Sequence, residues 1–224
     1  PTAVLAAALL GAAAAVLPAQ VLAFGGRFHV TAGLLAEREL CLAARSEVYG
    51  SLAVTYLFAT TDQITAAKFV MVLIWWGAAA SKINSHFPFV MAAMQSNSPV
   101  WRFGHMKRWL HRDFPDDLRP SALSAGMAHG ATLVEFAVPA VLLFSGGGWV
   151  TTTAGVVMVV FHLGIISSFP MGVPLEWNVF MIWGVVFLFL AHPGLDLVAL
   201  TQPVLLTVLM AVLVSVVVYG NLVP

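Results

Sequence analysis

Lys82, Asn84 and His86 fall within five residues of one another, where the apolar run WWGAAA gives way to SKINSH. An amine at the end of an apolar stretch has two alternatives. It reaches back to water along its methylenes, or it turns inward, where burial disfavours the ammonium and a neutral amine becomes a competent base. Spacing alone leaves both open. Glu135 lies about three turns into another apolar run, AHGATLVEFAVPAVLLF. A carboxyl at that depth must be protonated, paired with a cation or facing a wet cavity. His129 lies six residues before it, so the two are not neighbours at the three- or four-residue spacing of a helix face. His162 interrupts VVFHLGIISSF, where its simplest role is a hydrogen bond to an adjacent helix. Lys68 lies near the start of its run and is expected to snorkel. His86, His129, His162 and Glu135 are ligand types for a metal, but their spacing is no metal motif and no metal is expected. Glycine-rich phosphate loops, zinc spacings and serine-nucleophile motifs are missing too.

The elements that carry these residues follow from composition. The 224 residues are 60% hydrophobic and only 9% charged, with a mean hydropathy of +0.93. A soluble domain of this size needs far more surface charge. Apolar runs recur at the roughly 20 residues that cross about 30 Å of hydrocarbon as a helix. The expected fold is therefore all-α, a polytopic bundle of six to seven membrane helices with amphipathic or re-entrant segments. The chain reads as a single transmembrane domain over 1–224, and starting at Pro1 it is expected to belong to a longer polypeptide.

Seven runs mark the helices: Thr2–Phe24, Val48–Thr60, Gln63–Ser81, Ala122–Phe144, Trp149–Phe169, Leu175–Ala191 and Leu200–Tyr219. Pro18 is tolerated as a kink in the first. Asp62 and Ser121 suit helix N-caps, Gly146–Gly148 a turn, and Pro174 a first helical turn with Glu176 near the positive helix end. Val48–Thr60 is short enough to cross with little tilt or to re-enter. Gly25–Glu47 mixes three arginines with three glutamates and reads as an amphipathic surface helix. Residues 95–120 form a basic polar loop with Arg102, Lys107, Arg108, Arg112 and Arg119. If Val48–Thr60 crosses, both polar segments share one side, and the opposite loops around Thr61, Gly147 and Pro193 carry no lysine or arginine. That bias predicts a cytoplasmic face for 95–120. Such a loop suits anionic lipid, with no nucleic acid as partner. The single Cys41 allows no internal disulfide.

Three stretches together resemble the vitamin K-dependent γ-carboxylase-like superfamily, the horizontally transferred transmembrane domain. AAASKINSHF is similar to its Ala/Gly-rich helix ending in lysine. AHGATLVEFAVPAVLLF is similar to the next helix, with a histidine near its start and a carboxylate further on, and VVFHLGIISSFPMGVPLEWNVFMI to its Phe-His helix and the one after it. INSHFPFVMAAMQSNSP, RDFPDDLRPS and SSFPMGVPLEWNVFMI resemble more closely still a bacterial transmembrane family of unknown function that looks related to that superfamily.

The resemblance implies that Lys82 occupies the position of a base that deprotonates a quinol, with His162 near the quinone pocket and His129 and Glu135 at polar positions of the preceding helix. Carboxylation of protein glutamate is not expected, because the superfamily's large substrate-holding soluble portion has no counterpart in this stretch. The expectation is a multi-pass protein of the cell membrane. Its intramembrane polar pocket binds a quinone or hydroquinone, an isoprenoid or another lipid. Lys82, His162 and Glu135 are the chemical residues, and His129, His86, Asn84 and Trp76 line the ligand. The alternative is a non-catalytic accessory subunit of a larger membrane complex, its polar residues serving helix contacts; whether the protein is an enzyme is left open.

Overall fold

A computed structural model describes residues 46–101, 103–169, 172–194 and 200–222 of the chain. The runs expected at Thr2–Phe24 and Gly25–Glu47 fall almost wholly outside these residues. The described part is mostly helical, and three of its helices are long and apolar enough to cross a membrane. These are α2 (Thr60–Ser81), α5 (Ala122–Phe144) and α6 (Gly148–Ser168). At 1.5 Å per residue each measures roughly 31–35 Å, enough for the hydrocarbon thickness. Shorter elements complete the order: α1 (Ser46–Ala53) with a 3-10 turn at Val54–Leu57, α3 (Phe87–Asn97), α4 (Gly104–Arg108), α7 (Gly172–Gly184) and α8 (Pro203–Leu222). Val48–Leu57 is one of the shorter apolar helices, so the run expected to cross or re-enter there is about half a membrane span.

The described residues divide into two compact units, 46–71 with 200–222, and Val72–Gly194; the boundary falls within α2. In the first unit, Asp62 does not cap the helix it was expected to introduce, because α2 already begins at Thr60. Its carboxylate instead accepts the backbone N–H groups of Thr201 (3.0 Å) and Gln202 (2.8 Å) and the Thr201 hydroxyl (2.7 Å). Those groups precede Pro203, the first residue of α8, where unpaired donors and the positive helix end favour an anion. Gln202 returns a bond from its side-chain oxygen to the Ala59 N–H at 2.8 Å. Lys68, expected to snorkel, is buried instead, at 4% exposure.

In the second unit, α5 packs against α6 and α3, and α6 against α7. The bounds of α5 are those expected, and Ser121 caps it by accepting the Ser124 N–H at 3.2 Å. The turn into α6 runs through Gly146, Gly147 and Gly148, all at positive φ (62°, 111° and 76°), a backbone that L side chains rarely adopt. α7 starts at Gly172, ahead of the expected Leu175, and continues as a π-helix over Val185–Leu190. Gly155 of α6 lies against that segment: a Cβ there would stand 2.7 Å from a Leu190 methyl. Close packing at this crossing needs the missing side chain.

Residues 95–120 are more structured than a loop. After α3 and a 3-10 turn at Pro99–Trp101 comes α4, then an antiparallel ribbon of β1 (His111–Asp113) and β2 (Asp117–Pro120) with a cis Phe114–Pro115 bond in its turn. Arg119 clasps Asp117 with two nitrogens (2.9 and 2.7 Å). Ser121 and Ser124 tie the end of α4 to α5 by donating their hydroxyls to the carbonyls of Trp109 (2.5 Å) and Leu110 (2.7 Å).

Candidate functional site

Lys82 follows the last residue of α2, and its ammonium forms an ion pair and hydrogen bond with Glu135 of α5. Glu135 is buried, at 3% exposure, while the Lys82 side chain keeps 23%. Depth follows from sequence position. Glu135 is thirteen residues into α5, about 20 Å from its start and about 14 Å from its end. The lysine therefore meets its partner well inside a membrane-length helix. Trp76, six residues before Lys82, donates its indole N–H at 2.9 Å to the carbonyl of Phe136, the neighbour of Glu135. Two residues separated by about 9 Å of helix thus converge on adjacent positions of α5. The ion pair holds Lys82 against α5.

Pro139 contributes from within α5. Having no N–H, it leaves the Glu135 carbonyl without its helical donor and loosens the turn that contains Glu135 and Phe136. The neighbouring Phe136 carbonyl is the one that takes the Trp76 indole. The Phe87 ring, at the start of α3, lies 5.7 Å from the Lys82 nitrogen, within range of a cation–π contact.

His162 is fixed by a second set of bonds. The Trp75 indole N–H lies 3.0 Å from its Nε2, and the Asn178 amide oxygen 2.7 Å from its Nδ1. An indole only donates, so Nε2 must accept; an amide oxygen only accepts, so Nδ1 must carry the proton. The imidazole is neutral in this arrangement, with both nitrogens used. Asn178 in turn donates to the Pro174 carbonyl at 2.7 Å. A closed relay from α2 through α6 to α7 results, with Trp75, His162 and Asn178 all buried.

The other expected ligand residues lie apart from this group. Asn84 serves the turn into α3: its side-chain oxygen accepts the N–H groups of His86 (2.8 Å) and Phe87 (2.9 Å), and its amide donates to Ser81. His86 and His129 are exposed. Of the seven residues singled out, the structure brings together Lys82, Glu135 and Trp76, and holds His162 in a separate relay that starts at Trp75, the neighbour of Trp76. Trp75, Asn178, Phe87 and Pro139 were missed by sequence reasoning. Asn178 carried a signal, being the one amide in the apolar run after Glu176. Pro139 could have been read from its spacing, four residues after the carboxylate.

Chemically, the cluster is a net-neutral acid–base pair in an apolar surround. An ammonium has three donor hydrogens, and among the described residues only Glu135 accepts from Lys82. Two donors therefore remain for an oxygen brought beside it. In a low-dielectric medium, moving the shared proton to the carboxylate removes both charges and leaves a free amine.

Comparison with known proteins places the chain by family and no further. No curated protein and no solved structure matches it significantly. Residues 3–224, nearly the whole sequence, match a family described as transmembrane protein of unknown function, DUF3556. Matched over almost its full length, and with three helices of membrane length among the described residues, this chain belongs to the DUF3556 family of transmembrane proteins.

Proposed function

We propose that the protein binds an isoprenoid quinone, or another lipid with a polar oxygen-bearing head, in the bundle beside Lys82, and that Lys82 acts on it as a base. The observation that carries this is the partly used ammonium: Lys82 meets a buried carboxylate well within α5 yet retains two donors for a second oxygen. A carbonyl oxygen would accept from the ammonium. A hydroxyl would give its proton to the free amine while Glu135 holds the proton that the pair shares, and the oxygen anion left behind would lie beside the new ammonium. Trp76 ties α2 to α5 beside the pair, and Trp75, His162 and Asn178 hold α2 to α6 and α7. The resemblance to the γ-carboxylase-like superfamily, in which a lysine at this position deprotonates a quinol, supports the reading. We place the protein in the cell membrane, with six to seven crossings in the complete bundle.

The second reading, an accessory subunit of a membrane complex, is favoured by one observation: both nitrogens of His162 are spent on neighbouring helices, as in a purely structural clasp. Retention of a quinone and of its reduced form by the purified protein in lipid nanodiscs, measured by native mass spectrometry, separates the two. The binding reading expects retention by the native protein and at least a tenfold loss in Lys82→Met. Lys82→Arg should keep ligand but lose any conversion of it, since guanidinium does not deprotonate. Equal retention, or none, by native protein and Lys82→Met would establish the accessory reading.

A further inference from the structure

Ser96 of α3 and, from the segment that follows it, Gly104, His105, Lys107, Arg108, His111 and Phe114 line a half-open surface cavity of about 440 Å³. Two cations and two imidazoles face it, and no carboxylate does. Among the described residues neither Lys107 nor Arg108 has a carboxylate partner, and the nearby Asp117 is already taken by Arg119. His111 is oriented by its ribbon: Nδ1 donates to the Leu118 carbonyl at 3.1 Å, which leaves Nε2 for a ligand. His105 is stacked on Phe103 (centroids 5.9 Å apart) and edge-on to Trp109 (6.2 Å). The wall is held in place, since Ser121 and Ser124 bind the end of α4 to the first turn of α5. That turn opens a helix long and apolar enough to cross a membrane, and the cavity lies at that end of it, where a membrane–water interface would fall. The exposed Trp109 and Phe103 beside it suit the same interface.

We infer that this cavity binds a phosphate monoester, presented as the headgroup of an anionic lipid. Guanidinium and ammonium groups without competing carboxylates recognise phosphate oxygens, and the volume falls within the range of small-molecule sites of about 300–1,000 Å³. The inference does not depend on the Lys82 pair.

The test uses the full chain in phosphatidylcholine nanodiscs containing either phosphatidic acid, a monoester, or phosphatidylserine, a diester, with lipid retention read by native mass spectrometry. Two variants probe the site by different routes: Lys107→Gln/Arg108→Gln removes charge, and Gly104→Leu fills the cavity without changing charge, at a position where an added Cβ meets no other atom within 4 Å. Selective retention of phosphatidic acid, reduced at least tenfold by both variants, is the expected result. Millimolar inorganic phosphate that displaces the lipid and binds equally well alone would keep the phosphate chemistry and assign its source to a soluble phosphate. Equal retention of the two lipids, with Gly104→Leu unchanged, would overturn the site and leave only a charged surface.

Discussion

At the scale of single residues, the pairing of Lys82 with Glu135 makes the two members unequal. Removing one partner of a buried ion pair leaves an uncompensated charge, at a typical cost of about 3–5 kcal/mol. Glu135 is almost fully buried while Lys82 keeps 23% exposure, so a widowed lysine can rehydrate where a widowed glutamate cannot. Lys82→Met should therefore lower stability more than Glu135→Leu, by roughly 1–2 kcal/mol within that range. The double variant should recover most of the loss, because it leaves no charge behind. Thermal unfolding of the three variants in one detergent forms a double-mutant cycle. Additive losses would mean that the two residues do not interact.

At the scale of elements, the crossing of α6 with the π-helical end of α7 and the ribbon before α5 each carry a prediction. Gly155 faces Leu190 so closely that Gly155→Val must displace the leucine, at a cost of about 1–3 kcal/mol. Leu190→Ala should relieve that strain, making the pair of changes less harmful than Gly155→Val alone; the same unfolding measurement checks it. In the ribbon, the hydrogen bonds from Arg119 hold the Asp117 carboxyl down to about 2, from an ordinary 3.8. A lowered folded-state value means that the contribution is fully present above about pH 4 and is lost as pH falls towards 2. Measured against the intrinsic exchange rate at each pH, the protection of amides in residues 111–120 should fall across that window, and Asp117→Asn should show low protection at every pH. An unchanged window in that variant would assign the effect to another group.

At the scale of the whole molecule, the distribution of basic residues sets the expected orientation. Residues 95–120 should face the cytoplasm, since five lysines and arginines cluster there and none flanks the loops near Thr61, Gly147 and Pro193. With Cys41 replaced by serine, Asp116→Cys should react with an impermeant reagent only in inverted vesicles, and Gly194→Cys only in right-side-out cells. The reverse pattern would turn the protein over and place Lys82 near the outer face.

Much of this molecule was legible before any coordinates. Long unbroken apolar runs leave helices as the only solution for a backbone in lipid, so α2, α5 and α6 appear within a few residues of their expected bounds. Ser121 and the three glycines declare their ends through local chemistry, and Lys82, Glu135 and His162 stand out because polar groups are costly at that depth. What lies fifty residues away is not a local property. The direction of Lys82, the capture of Asp62 by α8, the burial of Lys68 and the closing of the His162 ring by Trp75 and Asn178 each depend on how helices are brought together. A snorkelling lysine and a paired one have the same neighbours in sequence; only packing supplies, or withholds, the carboxylate.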